Sequence, residues 1–165
     1  MNTRTRIHFA NLMSDLNEQI LRMGVYVEEA LKSAIEALKD QNLELADKVI
    51  SDDSRINDLE IELFDKVAII LATEQPVATD LRYLTGAIRI ITDLERAGDY
   101  AVHIAEGARR LSGEVYLTPL QQIPEAADVA RQMLKDALTA FINGDEELAR
   151  EVASRDDIID KLHRK

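Results

Sequence analysis

The sequence predicts an all-α protein of two tandem three-helix-bundle repeats, the second incomplete. Three observations predict it. Apolar residues recur at steps of three and four along almost the whole chain. Aromatics are 4% of a chain that is 46% hydrophobic, so Leu, Ile, Val and Ala carry the packing, which suits helix on helix. A stretch of the sequence also recurs 103 residues further on. The 165 residues suffice for a real core.

The first helix is expected over Asn11–Leu38, where Leu12, Leu16, Ile20, Met23, Val27, Leu31, Ala34, Ile35 and Leu38 form one stripe. Asp40-Gln41-Asn42 reads as a break. A second helix is expected over Leu43–Thr73, with Leu45, Val49, Ile56, Leu59, Leu63, Val67 and Ile70 at nearly the 3.5-residue period of long bundle helices. Pro76 biases Gln75 out of helical geometry and ends it. Thr79 is the expected cap of a third helix running to about Leu111, which Ser112-Gly113 terminates. Residues 114–123, with Pro119, read as a linker. A fourth helix starts near Pro124, since proline suits a first helical position, and ends at Asn143-Gly144. A fifth starts at Asp145.

The repeat sets the domain plan. Shifted by 103, Glu44–Leu59 falls on Glu147–Leu162 with eight of 16 positions identical. Helical periodicity explains the shared apolar positions but not Glu44/Glu147, Ser51/Ser154 or Asp53/Asp156. The expected units are a first bundle over 1–113, the linker over 114–123, and two helices of a second copy over 124–165. The second copy stops at Lys165 before its counterpart of the third helix, so the chain is expected to be a fragment. Its last helix is expected to leave Val152, Ile159 and Leu162 as an uncovered stripe.

Composition narrows the function. There is no Cys, which removes thiolate metal sites and disulfides and fits a cytoplasmic protein. No signal-peptide core opens the sequence, and no apolar run reaches the roughly 18 residues of a membrane span. The net charge of −11 repels nucleic acid and anionic lipid and suits a cation or a basic protein surface. No Ser/His/Asp or Cys/His grouping suggests nucleophilic catalysis, and no glycine-rich phosphate loop is present.

The run Ile91–Glu106 carries the most chemistry. Asp99 lies about 40° around the helix from Glu95, and Glu106 about 20° from it, so three acids share a face. Like charges at i and i+4 destabilise a helix by a few tenths of a kcal/mol, and a bound cation reverses that sign. His103 sits about 80° from Glu95, at the edge of the face, as a possible nitrogen ligand. Such a mixed set suits Fe, Mn, Zn or Ni over Ca. A solvated acidic face is the bland alternative. Asp93 points away and suits Arg89 or Arg96 as ion-pair partner. Asp80 complements a helix N-terminus. Gly86, Gly98 and Gly107 suggest close approach of another helix or of bound ions, with close packing the default.

Asp93-Leu-Glu-Arg-Ala-Gly-Asp99, continuing through Tyr100-Ala-Val-His-Ile-Ala-Glu106, resembles the PhoU family. So do Asp53-Ser-Arg-Ile-Asn-Asp-Leu-Glu60 and Gln75-Pro-Val-Ala-Thr-Asp-Leu-Arg82. The resemblance covers nearly the whole chain. It implies tandem repeats of PhoU type and a cytoplasmic accessory protein, not an enzyme. It implies a negative regulator of phosphate uptake and of phosphate-starvation signalling. The implied partners are the ATPase subunit of the phosphate ABC transporter, a sensor histidine kinase and a second copy in a homodimer, with no nucleic acid and only indirect contact with membrane. It also implies Fe or Zn clusters, as some members carry, on Glu/Asp-x-x-x-Asp motifs, of which Glu95 and Asp99 are the first and the second would lie beyond Lys165. His103 stands where the family usually has Asn, and the acidic face itself, with Glu106, would also suit Mn, Ni or Mg.

Two other readings compete. A PhoU-type domain serving another transporter or metal homeostasis shares the fold and motif. A ferritin-like di-iron enzyme needs Glu three residues before a histidine, and here Thr5, Tyr100 and Asp160 precede His8, His103 and His163.

Overall fold

The computed structural model describes residues 3–116, 120 and 122–163, and their side chains from Ile7 to Leu162. Among the described residues there are seven helices and no strand. Helix α1 spans Thr3–Asp40, α2 Leu43–Asp52, α3 Ser54–Glu74 and α4 Ala78–Arg110. Then follow α5 (Gln122–Asn143), α6 (Glu146–Ser154) and α7 (Asp156–His163).

The first helix starts earlier than the apolar stripe suggests. Phe9 already packs on the core, and His8 Nε2 stands 3.8 Å from Glu74 Oε1 at the far end of α3. The single helix expected over 43–73 is two, with a turn at Asp53. Periodicity misses this elbow because Val49 and Ile56 stay in step across it. Asp53 itself keeps helical angles (φ −56°, ψ −34°), and its carbonyl accepts from Ile56 and Asn57. The local polar residues favour such a turn. Ser51 Oγ donates to the Lys48 carbonyl and Ser54 Oγ to that of Ser51.

Thr79 is not the cap of α4. The helix begins at Ala78, extended Val77 precedes it, and no side chain caps it. Asp80 lies in its first turn as expected. Leu111 N–H bonds the Gly107 carbonyl at 3.0 Å, and Gly113 (φ +83°) closes the exit. Of the linker expected over 114–123, residues 117–119, with Pro119, and 121 lie outside the described residues. Gln122 and Ile123 already belong to α5, so Pro124 sits within its first turn. The start of the connection is tied back to α1, since Gln41 Nε2 donates to the Glu114 carbonyl and Tyr116 Oη to that of Leu38.

One turn is built twice, 103 residues apart. Gln41 and Gly144 both have positive φ (52° and 65°). Asn42 and Asp145 both cap, at nearly identical angles, accepting from Leu45 N and Leu148 N. Their own N–H groups bond back to the Ala37 and Ala140 carbonyls. A second elbow, at Arg155 between α6 and α7, falls within one residue of the first.

The core sits between α1, α3 and α4. Leu16, Ile20, Met23, Leu63, Val67, Ile70, Leu84, Ile91 and Leu94 are almost fully buried there. A smaller alanine-rich cluster joins α1, α2 and α4. Helix α5 crosses α1, where Leu138 presses onto Gly24. Arg131 bonds Glu28 at 2.9 Å, its own equivalent under the 103-residue shift. The stripe expected to be bare is covered. Helices α6 and α7 fold back on α5, Val152 and Leu162 are buried, and Ile159 is half-buried. The reason is the Arg155 elbow, which folds α7 back where a straight helix would carry it away.

Candidate functional site

The acids of α4 do not stand alone. Glu95 is half-buried, and Asp99 is exposed one turn on. Across the groove are Asp53, at the elbow, and Glu60, two turns along α3. Gly98 makes the approach possible. A Cβ there would lie 3.0 Å from Ile56 Cδ1 and 3.7 Å from Asp53 Oδ1.

The electrostatics follow from that closeness. Burial first, then the charges of Asp99, Glu60 and Asp53, push the Glu95 carboxyl above its ordinary value, and Arg96 opposes them. Asp53 is likewise raised, by burial and then by Asp99, while a hydrogen bond from Asn57 Nδ2 (2.9 Å) pulls the other way. Asn57 Oδ1 is buried without a partner. A cation in this groove would offset the repulsion between these carboxylates, and hard carboxylate oxygens fit it chemically. Among the described residues, however, no three His, Asp or Glu side chains converge closely enough to form a ready metal cage.

The expected site residues thus divide. Glu95 and Asp99 are brought together. Exposed His103 meets Tyr100 edge-on at 6.3 Å between ring centroids. Glu106, half-buried, lies seven residues beyond Asp99, about 10 Å along the axis. The charges acting on Glu95 do not include either of these two. Asp53 and Glu60 were missed as site residues. Their seven-residue step, about 20° around the helix, puts them on one face but does not tell that this face meets Glu95 of α4.

Other expectations resolve simply. Asp93 takes Arg96, at 3.3 Å, rather than Arg89. Gly86 meets Phe141, which stacks on Tyr83 at 4.5 Å. Gly107 meets nothing within 4 Å, so among the described residues no helix makes the close approach expected there. The tightest glycine contact is at Gly24, which the sequence reading passed over.

A cavity of about 270 Å³ adjoins the acids, with Asp53 and Gly98 in its lining. Glu29, Ser33, Lys48, Asp52 and Arg55 give it polar walls, and Val49 and Ile56 an apolar floor.

Comparison with known proteins places this geometry. The PhoU domain family matches residues 20–108 and 123–165. A phosphate-specific transport system accessory protein PhoU homolog of Clostridium acetobutylicum is 36% identical over 162 residues, which is 98% of this chain and 74% of that protein. The one of Aquifex aeolicus is 38% identical over 92% of this chain and 68% of its own. The crystal structure of PhoU from Pseudomonas aeruginosa superposes with a TM-score of 0.89 at 32% identity, covering 94% of this chain and 75% of that one. These relatives are accessory proteins of phosphate-specific transport, not enzymes.

Proposed function

Because this chain belongs to the PhoU family, we propose that it is a negative regulator of phosphate uptake and phosphate-starvation signalling that works by protein contact. Its partners are the ATPase subunit of a phosphate ABC transporter and a sensor histidine kinase, and it acts in the cytoplasm as a homodimer. The observation that carries this reading is the match across 98% of the chain to an accessory protein of phosphate-specific transport. Among the described residues no helix is long and apolar enough to cross a membrane, so membrane contact runs through the partner. The twice-built turn supports a tandem plan of a first unit over 1–113, a connection, and a second unit that holds α5, α6 and α7.

The acidic groove is the natural seat of a metal. Glu95 and Asp99 would hold Fe or Zn (or Mn, Ni, Mg), and Asp53 and Glu60 add negative charge across the groove without completing a donor set. His103, one turn beyond Asp99, and Glu106, three turns beyond Glu95, are the further candidate ligands on the same helix. Bound there, a cation would supply positive charge that offsets the repulsion Glu95 meets from Asp99, Glu60 and Asp53.

The test is binding of the purified protein to the transporter ATPase and to the kinase at high phosphate, with and without Fe or Zn. Capture of either partner at high phosphate is expected. Failure to bind both, with and without metal, would end the reading. For the metal, elemental analysis should find it on the wild type and not on a Glu95→Gln/Asp99→Asn variant. Equal loading of the two would remove these ligands.

A further inference from the structure

The outer face of α4 carries a second pattern that the acids do not explain. Leu84, Ile91, Gly98 and Ala105 are buried at steps of seven and form its bundle-facing seam. Two places ahead of each come Arg82, Arg89, Arg96 and His103, and Arg110 continues the step. An offset of two residues backwards turns about 160°, so these five point directly away from the core. All five are exposed. A strict heptad drifts about 20° per repeat around a straight helix. The buried seam drifts with it, so the basic line stays opposite the core for about 42 Å.

This ridge runs against the composition of a chain with net charge −11. Arg82, Arg89 and Arg110 make no ion pair with any described residue. Arg96 makes one exposed pair, with Asp93 at 3.3 Å. Gly107 adds an independent sign. It lies one turn from both His103 and Arg110, weakens the helix relative to alanine, and a Cβ there would meet nothing within 4 Å. The packing of this chain does not call for a glycine, whereas a neighbour lying along the ridge would.

We propose that the Arg82–Arg110 ridge docks an acidic helix of a partner protein, with Asp or Glu at seven-residue steps. The proposal rests on the reading that the chain works by protein contact. A heptad line on each side follows one left-handed supercoil and keeps register over several turns. Arginine pairs carboxylates in bidentate fashion. A nucleic acid fits less well, because Asp93, Asp99 and Glu106 flank the ridge and the net charge repels a polyanion. A bilayer fits less well too. Among the described residues Tyr100 is the one large apolar side chain exposed between Arg82 and Arg110.

The test uses two synthetic helical peptides of identical composition, one with Glu at every seventh position and one with Glu at every fifth. Fluorescence anisotropy should show the first binding about tenfold tighter, with the advantage shrinking at high salt. Arg82→Glu with Arg89→Glu should abolish the preference, and Gly107→Leu should weaken it, with helix content unchanged by circular dichroism. Equal binding of the two peptides, or an unchanged double variant, overturns the ridge. So does tighter binding to duplex DNA or to phosphatidylserine vesicles. A parallel capture of the transporter ATPase separates this from the functional reading. If wild type and double variant capture it equally, the ridge fails and the regulator stands. If neither captures the ATPase or the kinase, the regulator fails, and the peptide comparison still decides the ridge.

Discussion

The elbow at Asp53 and the elbow at Arg155 stand within one residue of equivalent places in the repeat, with matching turns 103 residues apart leading into α2 and α6. Their side chains are arranged in opposite ways. Around the second elbow, Arg155 holds Asp136 and, at 2.7 Å, Glu151, and Gln132 donates to Asp136 at 2.9 Å. The residues 103 places earlier are Glu29, Ser33, Lys48 and Asp52. Those four line the cavity. One copy fills the space beneath its elbow with its own ion pairs, and the other leaves it open. The open elbow is also the acidic one, where Asp53 and Glu95 are raised. A duplicated backbone has kept its caps and turns while the charges beneath them diverged. The caps are fixed by local chain geometry, and the charges are free to serve something outside the chain.

The largest expected effect breaks the comparison at its apolar base. Ile56 is 2% exposed and pressed on Gly98, whereas its equivalent Ile159 is half-buried. Ile56→Ala should cost about 2–5 kcal/mol, and Ile159→Ala roughly 1 kcal/mol. Urea unfolding midpoints measure both. Equal costs would mean that the two elbows are packed alike and that the contrast is only electrostatic.

A smaller effect comes from copying one elbow into the other. Glu29→Gln, Ser33→Asp, Lys48→Glu and Asp52→Arg together rebuild the Gln132–Asp136–Glu151–Arg155 network over the cavity. Charge-assisted hydrogen bonds at a part-exposed site should add about 1 kcal/mol and raise the melting temperature. A crystal structure of the variant should show the cavity closed. A fall in melting temperature would show that the walls of the two elbows are not interchangeable.

Much of this was legible in the sequence, and the misses have physical causes. The helices, the break after Asp40 and the start at Asp145 follow from periodicity and cap chemistry, which are local. The two elbows were invisible because a turn that keeps helical φ and ψ leaves the apolar step intact, as Val49 and Ile56 show. Glu95 and Asp99 were legible as a pair on one helix. Asp53 and Glu60 belong to the same groove only through the packing of α3 on α4, which no spacing within one helix reveals. The ridge from Arg82 to Arg110 was present in the spacing all along. It gained meaning once the buried seam opposite it was known.

The smallest effect is a difference in sign. At the first elbow, burial and like charges raise Glu95, so the folded chain holds that proton more tightly than the unfolded one. Its ionisation therefore weighs against folding at neutral pH, and stability is recovered as pH falls through the raised value. At the second elbow, Arg155 and Gln132 lower Asp136 from 3.8, so its contribution is present above that value and is lost as pH falls through the lowered one. Glu95→Gln should consequently stabilise the metal-free protein slightly at neutral pH and not in mild acid. Asp136→Asn should destabilise it at neutral pH, with the difference fading only in strong acid. Urea midpoints of the three proteins across pH would display two opposite slopes. A Glu95→Gln effect that does not change with pH would mean that the four acids are too well hydrated to sense one another, and the first elbow would lose its claim to be the strained member of the pair.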